Sequence, residues 1–292
     1  MNDIFPPRHW VRWLYALKGT GLPRLAELIR KIQAKRHPNA EIIIDDFGGD
    51  SKFACRLNEH MGSQIYWRGT YSGYQLDVLA SCLRPGGVFI DLGANQGEFT
   101  VFAARLVGKD GRVFAFEPSP QMQQRLSKNI QLNNFDHVTI EEFAVADKPG
   151  RLSLLSPTGA FTDGTTHDGL PTLYHQEGTV TGSATEVAVT TLDQWQLEKK
   201  LDRVDLIKMD IEGAELPALQ GGKELIQRFR PSLIIELNST TSHAAGYTMI
   251  DLVNWLQVQD YLVFEITENG AVTRLNVEKL QPFQNILATP RL

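Results

Sequence analysis

Gly87-Val88-Phe89-Ile90-Asp91-Leu92-Gly93-Ala94-Asn95-Gln96-Gly97-Glu98-Phe99 is the stretch from which the rest of the chain can be read. Val88 to Leu92 is a short apolar run, the pattern of a strand buried on both faces of a parallel sheet. A turn of small residues follows, and from Phe99 the apolar positions Phe99, Phe102, Ala103 and Leu106 recur at helical spacing. Strand, glycine turn and helix make the first half of a βαβ nucleotide-binding unit. Gly93 and Gly97 suit a sharp turn and a close approach of backbone to ligand, which a Cβ would obstruct.

The turn separates ligand classes. A dinucleotide fingerprint reads G-x-G-x-x-G, because a pyrophosphate sits on the helix N-terminus. Here the middle glycine is missing, and Asp91 is expected at the strand end, pointing into the crevice. A carboxylate there repels a pyrophosphate and attracts a cation. S-adenosylmethionine (SAM) offers an ammonium and a sulfonium and no phosphate. The next apolar run, Arg112 to Phe116, closes on a second acid, Glu117. An acid at that point is placed to accept hydrogen bonds from both ribose hydroxyls of an adenosine. The plainer alternative is a cap on the helix that Ser119 and Pro120 start.

Four segments then occur in order: Asp91-Leu-Gly-Ala-Asn-Gln-Gly97, Phe116-Glu-Pro-Ser119, Thr191-Leu-Asp193 and Lys208-Met-Asp-Ile-Glu-Gly-Ala-Glu215. With them the chain, over roughly residues 70 to 240, resembles the FkbM-type SAM-dependent methyltransferases. The resemblance implies a class I methyltransferase fold: a Rossmann-like α/β architecture with a mostly parallel seven-stranded sheet and helices on both faces. It implies SAM as cofactor, held by Asp91, Gly93, Ala94, Asn95, Gly97, Glu117, Pro118, Ser119 and Asp210. It also implies O-methylation of a sugar, glycan or natural product. In related enzymes the corner after the third strand brackets adenine, which gives Phe143 a stacking role and Ala144 a backbone contact. Phe143 reads equally as a core aromatic. A tyrosine and an acid of the family lie beside the methionine end of SAM; this chain has Tyr71 and Tyr74 nearby, but Gln75 where the acid is expected.

Asp210 stands at the carboxyl end of Leu206-Ile-Lys-Met209, where ligands sit in open α/β sheets. It is a candidate proton acceptor for an alcohol, or a ligand of a divalent cation such as magnesium. Glu212 and Glu215 lead into a helix and read equally as N-terminal carboxylates favoured by the helix dipole. Glu236 interrupts the apolar run Leu233-Ile-Ile-Glu-Leu237, an expensive position for a carboxylate unless it is paired or faces the crevice. A raised pKa and a general-base role follow from that position. His243, in a loop at the same sheet edge, is the third catalytic candidate. No spacing demands a metal, although Asp210, Glu236 and His243 form an O/N set suited to magnesium or manganese.

Composition bounds the rest. The chain has 292 residues, 42% of them hydrophobic and 22% charged, an ordinary globular balance. Two cysteines, Cys55 and Cys82, leave no disulfide framework or cysteine zinc site and fit a reducing cytoplasm. No apolar run is long enough to span a membrane, and no signal-peptide pattern opens the chain. Residues 1 to 40 hold eight Lys/Arg against two Asp/Glu, an excess of +6, which leaves −11 for the rest of a chain of net charge −5. The net charge argues against a nucleic-acid partner. The basic segment, with Trp10 and Trp13, reads as amphipathic helices over 8–36 that either lie on a membrane surface or pack on the body or on a second subunit.

The organisation expected is an N-terminal extension over 1–75, with a hairpin around Phe47-Gly-Gly-Asp50, and a methyltransferase domain over 76–292. Strands are predicted near 88–92, 112–117, 137–143, 204–210 and 232–238, and helices near 76–83, 97–107, 119–133, 213–229 and 248–258. Residues 261–266 and 285–288 would supply a final antiparallel pair. Between about 150 and 190 periodicity fails, apart from a strand at 186–190. This reads as a loop insertion whose His167, Asp168 and His175 either touch substrate or are solvated. Three other functions are weighed. An N-methyltransferase is disfavoured because Asp210-Ile-Glu-Gly213 stands where such enzymes carry Asn/Asp-Pro-Pro-Tyr/Phe. An NAD-dependent oxidoreductase is disfavoured by the missing glycine and by Asp91. A silent methyltransferase fold serving as a scaffold is opposed by the intact turn, Glu117 and the acidic cluster.

Overall fold

The structure, a computed structural model, describes residues 8–17, 22–36, 40–157, 172, 174 and 182–291. Helices α1 (Arg8–Ala16) and α2 (Leu22–Arg36) precede an antiparallel hairpin of β1 (Glu41–Phe47) and β2 (Ser51–Arg56). Then come α3 (His60–Arg68) and α4 (Gly73–Cys82). Alternation of strand and helix begins where the glycine turn predicts it: β3 (Val88–Leu92), α5 (Glu98–Val107), β4 (Arg112–Phe116), α6 (Pro120–Leu132) and β5 (Val138–Glu141). A satellite sheet follows from β6 (Ala144–Val145), β7 (Gly150–Pro157) and β8 (Gly182–Thr190), leading to α7 (Leu192–Lys199). The chain then re-enters the main sheet with β9 (Leu206–Met209), α8 (Glu215–Gln220), α9 (Lys223–Phe229) and β10 (Ser232–Asn238). It closes with α10 (Ser239–Ala244), α11 (Met249–Val258), β11 (Tyr261–Ile266), β12 (Val272–Arg274) and β13 (Phe283–Pro290).

The main sheet runs β12-β11-β13-β10-β9-β3-β4-β5. Its members from β10 to β5 pair in parallel, and β13 is inserted antiparallel between β10 and β11. Without the short edge strand β12 this is the seven-stranded order of a class I methyltransferase; β12 makes the sheet eight-stranded instead of the seven expected. Strand order reverses between β3 and β9, which opens a crevice at their carboxyl ends.

Side-chain alternation divides the core in two. Val88, Ile90 and Leu92 of β3 pack with Ile207, Met209, Ile235 and Trp195 on one face. Phe89, with Leu206 and Ile234, faces a second core shared with Ile44, Phe53 and Trp67 of the N-terminal elements.

Several local expectations need correction. The helix predicted over 213–229 is two helices, parted at Gly221-Gly222. A Cβ on Gly221 would stand 2.2 Å from the carbonyl oxygen of Ala146, so only glycine allows the break to lie this close to the segment after β6. The segment carrying His243 is helical, capped by Asn238, whose side chain accepts from Thr240 N at 3.0 Å. Helix α3, over a segment for which the sequence predicts no helix, has Gly62 to Trp67 all buried. Phe143 lies beyond the end of β5, which stops at Glu141. Among the described residues no helix is long and apolar enough to cross a membrane.

Candidate active site

A cavity of about 550 Å³ opens along the carboxyl ends of the sheet, and its lining follows the strand order. Phe143 and Ala144 come from beyond β5, Glu117 and Pro118 from the end of β4, and Gly93, Ala94 and Asn95 from the end of β3. Asp210 and Glu212 follow β9, Glu236 and Asn238 come from β10, and Phe283 and Asn285 come from β13. Glu236 and Asn285 are cross-strand partners, so their side chains share one face. Tyr71, Ser72 and Gln75, around the start of α4, line it from the N-terminal side.

The turn after β3 is a tight piece of carpentry. Gly93 and Gly97 both have positive φ, +78° and +96°, as the sharp turn requires. Their missing Cβ atoms, however, make room for protein and not for ligand. A Cβ on Gly93 would lie 2.0 Å from the carbonyl oxygen of Asp210, and one on Gly97 would lie 2.7 Å from Leu126. Gly93 therefore lets the β3 and β9 ends close together, and Gly97 lets α6 pack. Gly97 does not line the cavity, and neither does Ser119, whose N–H donates to Glu117 Oε1 at 2.8 Å.

Asp91 also departs from expectation. It is fully buried, outside the lining, and accepts a 2.6 Å hydrogen bond from Thr100 Oγ1. Lys208 Nζ stands 3.4 Å from its Oδ1 and 3.9 Å from Asp210 Oδ2, and donates to the carbonyl oxygen of Gly93 at 2.8 Å. Burial alone would depress the Lys208 ammonium, but Asp91, Asp210 and Glu236 outweigh it and leave its pKa raised. Lys208 lines the cavity, a position to which the sequence reading gave no role. Its signal was present: a cation inside a buried apolar strand, the argument that singled out Glu236.

Glu117 accepts from Asn95 N and from Ser119 N, both at 2.8 Å, which fixes its carboxyl at the mouth of the turn. Burial pushes it up to about 7 against those two donors. Glu98, first in α5 and also missed, accepts from the N–H groups of Tyr71 at 2.5 Å and Ser72 at 3.1 Å, so it ties the start of α4 to the site. Glu215 is buried outside the lining and accepts from Ile211 N, Gly213 N and Tyr247 OH, so it shapes the turn that carries Asp210 and Glu212. Glu236 is driven up to about 10 by burial and then by Asp210, Glu212 and Glu215, and Glu212 to about 8 by burial and then Asp210. His243 is exposed and lies outside the cavity lining, so it does not join Asp210 and Glu236.

Acidic side chains outnumber basic ones in the lining, where Lys208 is the cationic side chain. No group of three or more His, Cys, Asp or Glu among the described residues is arranged to hold a metal ion, and His243 stands outside the cavity that Asp210 and Glu236 line. His167, Asp168 and His175 lie outside the described residues.

A family profile described as the methyltransferase FkbM domain matches residues 91–263. The 2-O-methyltransferase NoeI of Sinorhizobium fredii is 28% identical over 154 residues, which cover 50% of this chain and 62% of NoeI. The 31-O-demethyl-FK506 methyltransferase FkbM of Streptomyces tacrolimicus is 26% identical over 210 residues, covering 65% of this chain and 75% of that protein. A solved methyltransferase FkbM from Methylobacillus flagellatus KT superposes with a TM-score of 0.44 at 16% identity, covering 92% of this chain and 59% of that one. The chain thus spans about three fifths of the length of NoeI.

Proposed function

The chain belongs to the FkbM methyltransferase family, and we propose that it transfers a methyl group from SAM to a hydroxyl of a sugar, glycan or natural-product acceptor. The observation that carries the reading is the order of groups across the strand ends. An adenosine-type acid, Glu117, lies on one side of the β3 turn, and a cluster of carboxyls at Asp210, Glu212 and Glu236 lies on the other. The names of NoeI and FkbM, both O-methyltransferases, support a hydroxyl acceptor.

Bound SAM supplies a methyl carbon on a sulfonium, which leaves as a neutral thioether. The chain's residues hold the reactants and manage the proton. Glu117 accepts from the ribose hydroxyls, Phe143 and Ala144 border the adenine, and Gly93, Ala94 and Asn95 present backbone beside the methionine portion. Asp210, two-fifths exposed and 3.9 Å from the Lys208 ammonium, takes the proton of the acceptor hydroxyl. Glu236 holds its own proton at neutral pH and acts as a hydrogen-bond donor toward the acceptor. That reverses the base role suggested by its place in the strand.

Calorimetric titration with SAM, S-adenosylhomocysteine and NAD⁺ tests the cofactor. The first two are expected to bind, and Glu117→Ala to weaken both by about tenfold or more, the loss of hydrogen bonds to one charged acceptor. Binding of NAD⁺ alone would overturn the reading. With labelled SAM and a panel of hydroxylated acceptors, Asp210→Asn is expected to lower kcat by about 10²- to 10⁴-fold while S-adenosylhomocysteine still binds.

A further inference from the structure

Each of the two N-terminal helices leaves one side uncovered. Trp10 and Trp13 of α1 are 75% and 61% exposed, and Leu25, Leu28 and Ile32 of α2 are exposed as well. Those three leucine and isoleucine positions, at i, i+3 and i+7, form a single stripe. At about 100° per residue, Arg24 and Lys31 fall on one side of the stripe and Arg36 on the other. The inward faces have different partners. Val11 and Ala26 enter the core, Arg8 pairs with Asp45 at 2.6 Å, Arg12 with Asp46 at 2.5 Å, and Arg30 with Glu27 at 2.5 Å. Arg24, Lys31 and Arg36 make no ion pair among the described residues.

We propose that these two exposed sides together dock on a lipid bilayer bearing anionic headgroups. Trp10, Trp13, Leu25, Leu28 and Ile32 enter the interfacial layer, where tryptophan is favoured, and the three flanking cations meet lipid phosphates. Charge complementarity selects the occupant. The first 40 residues carry an excess of +6 on a body of −11, so the acidic body is repelled by an anionic surface and the helix pair alone is drawn to it. A symmetric contact with a second copy would oppose two such basic segments. Neither helix is long and apolar enough to cross the membrane, so the contact is peripheral.

Flotation of the full chain with vesicles of phosphatidylcholine, with and without phosphatidylglycerol, tests the proposal. The expected result is partition onto the anionic vesicles only, with a blue shift of tryptophan emission and release at high salt. This arm needs no variant. Trp10→Ala/Trp13→Ala and Arg24→Glu/Lys31→Glu/Arg36→Glu are each expected to weaken partition by about tenfold or more, at an unchanged melting temperature. Failure to bind, equal partition onto neutral vesicles, or variants that bind like the parent would each overturn it. So would self-association in the absence of lipid that Trp10→Ala/Trp13→Ala abolishes, which would assign the face to a second copy.

Discussion

Glu236 is a carboxyl that folding forces to keep its proton, and that has a measurable consequence. Its pKa rises from 4.5 to about 10, that of Glu212 to about 8 and that of Glu117 to about 7, each through burial first. Between about pH 4.5 and those values the folded chain binds protons that the unfolded chain has released, so stability falls as pH rises. The melting temperature of the ligand-free protein is therefore expected to drop from about pH 5 to about pH 9, and Glu236→Gln to flatten that slope in a fluorimetric scan across pH. Asp91 gives the opposite kind of test. Removing it leaves the buried Lys208 without its 3.4 Å partner, so Asp91→Ala should cost about 3 kcal/mol in urea unfolding, even with no cofactor present. Part of this was legible in the residues themselves: Glu236 and Glu117 announce their positions, one by interrupting an apolar run and the other by ending one. Asp91 misleads because a strand-end acid can face either side of the sheet. Its register partner on β9 is Lys208, and only the pairing, absent from a linear string, reveals that the two face each other.

At the level of elements, the Thr191-Leu-Asp193 segment turns out to be a splint between helices. Thr191 accepts from Gln194 N at 3.1 Å and caps α7, while Asp193 accepts from Glu224 N at 3.0 Å and Leu225 N at 2.8 Å at the start of α9. Asp193→Ala is expected to lower stability by about 1 to 2 kcal/mol and the melting temperature by about 2 to 4 °C, read by circular dichroism, with cofactor affinity unchanged. The βαβ alternation from β3 to β10 was readable because buried parallel strands and amphipathic helices leave strong periods. A helix buried on every side over Gly62 to Trp67, as α3 is, leaves no polar face to read, and the helical period of 213–229 runs on past the break at Gly221-Gly222. Gly221-Gly222 is a local break signal inside the helical period, but the close approach of Gly221 to the carbonyl of Ala146 is a tertiary contact that no local pattern carries.

Across the whole molecule, the N-terminal elements supply a large share of the packing on one side of the main sheet. Ile44, Phe47, Phe53, Leu57 and Trp67 share a core with Phe89, Val101, Leu206 and Ile234. Deleting residues 1–57 would strip that face, and the remaining chain is expected to be insoluble or to bind a hydrophobic dye strongly, unlike the full chain. The basic composition of this segment was plain, but its structural share was not, because contacts so distant in the chain leave no periodic trace. The strand order has a further consequence for biosynthesis. As the chain emerges from the ribosome, β3 can pair with β4 as soon as residue 116 is out, yet its other neighbour, β9, does not begin until residue 206. During that interval the central strand of the future sheet presents a bare, apolar edge, the kind that recruits strands from other chains. Topology therefore sets the length of this exposed interval during synthesis, and it ends with the arrival of Leu206.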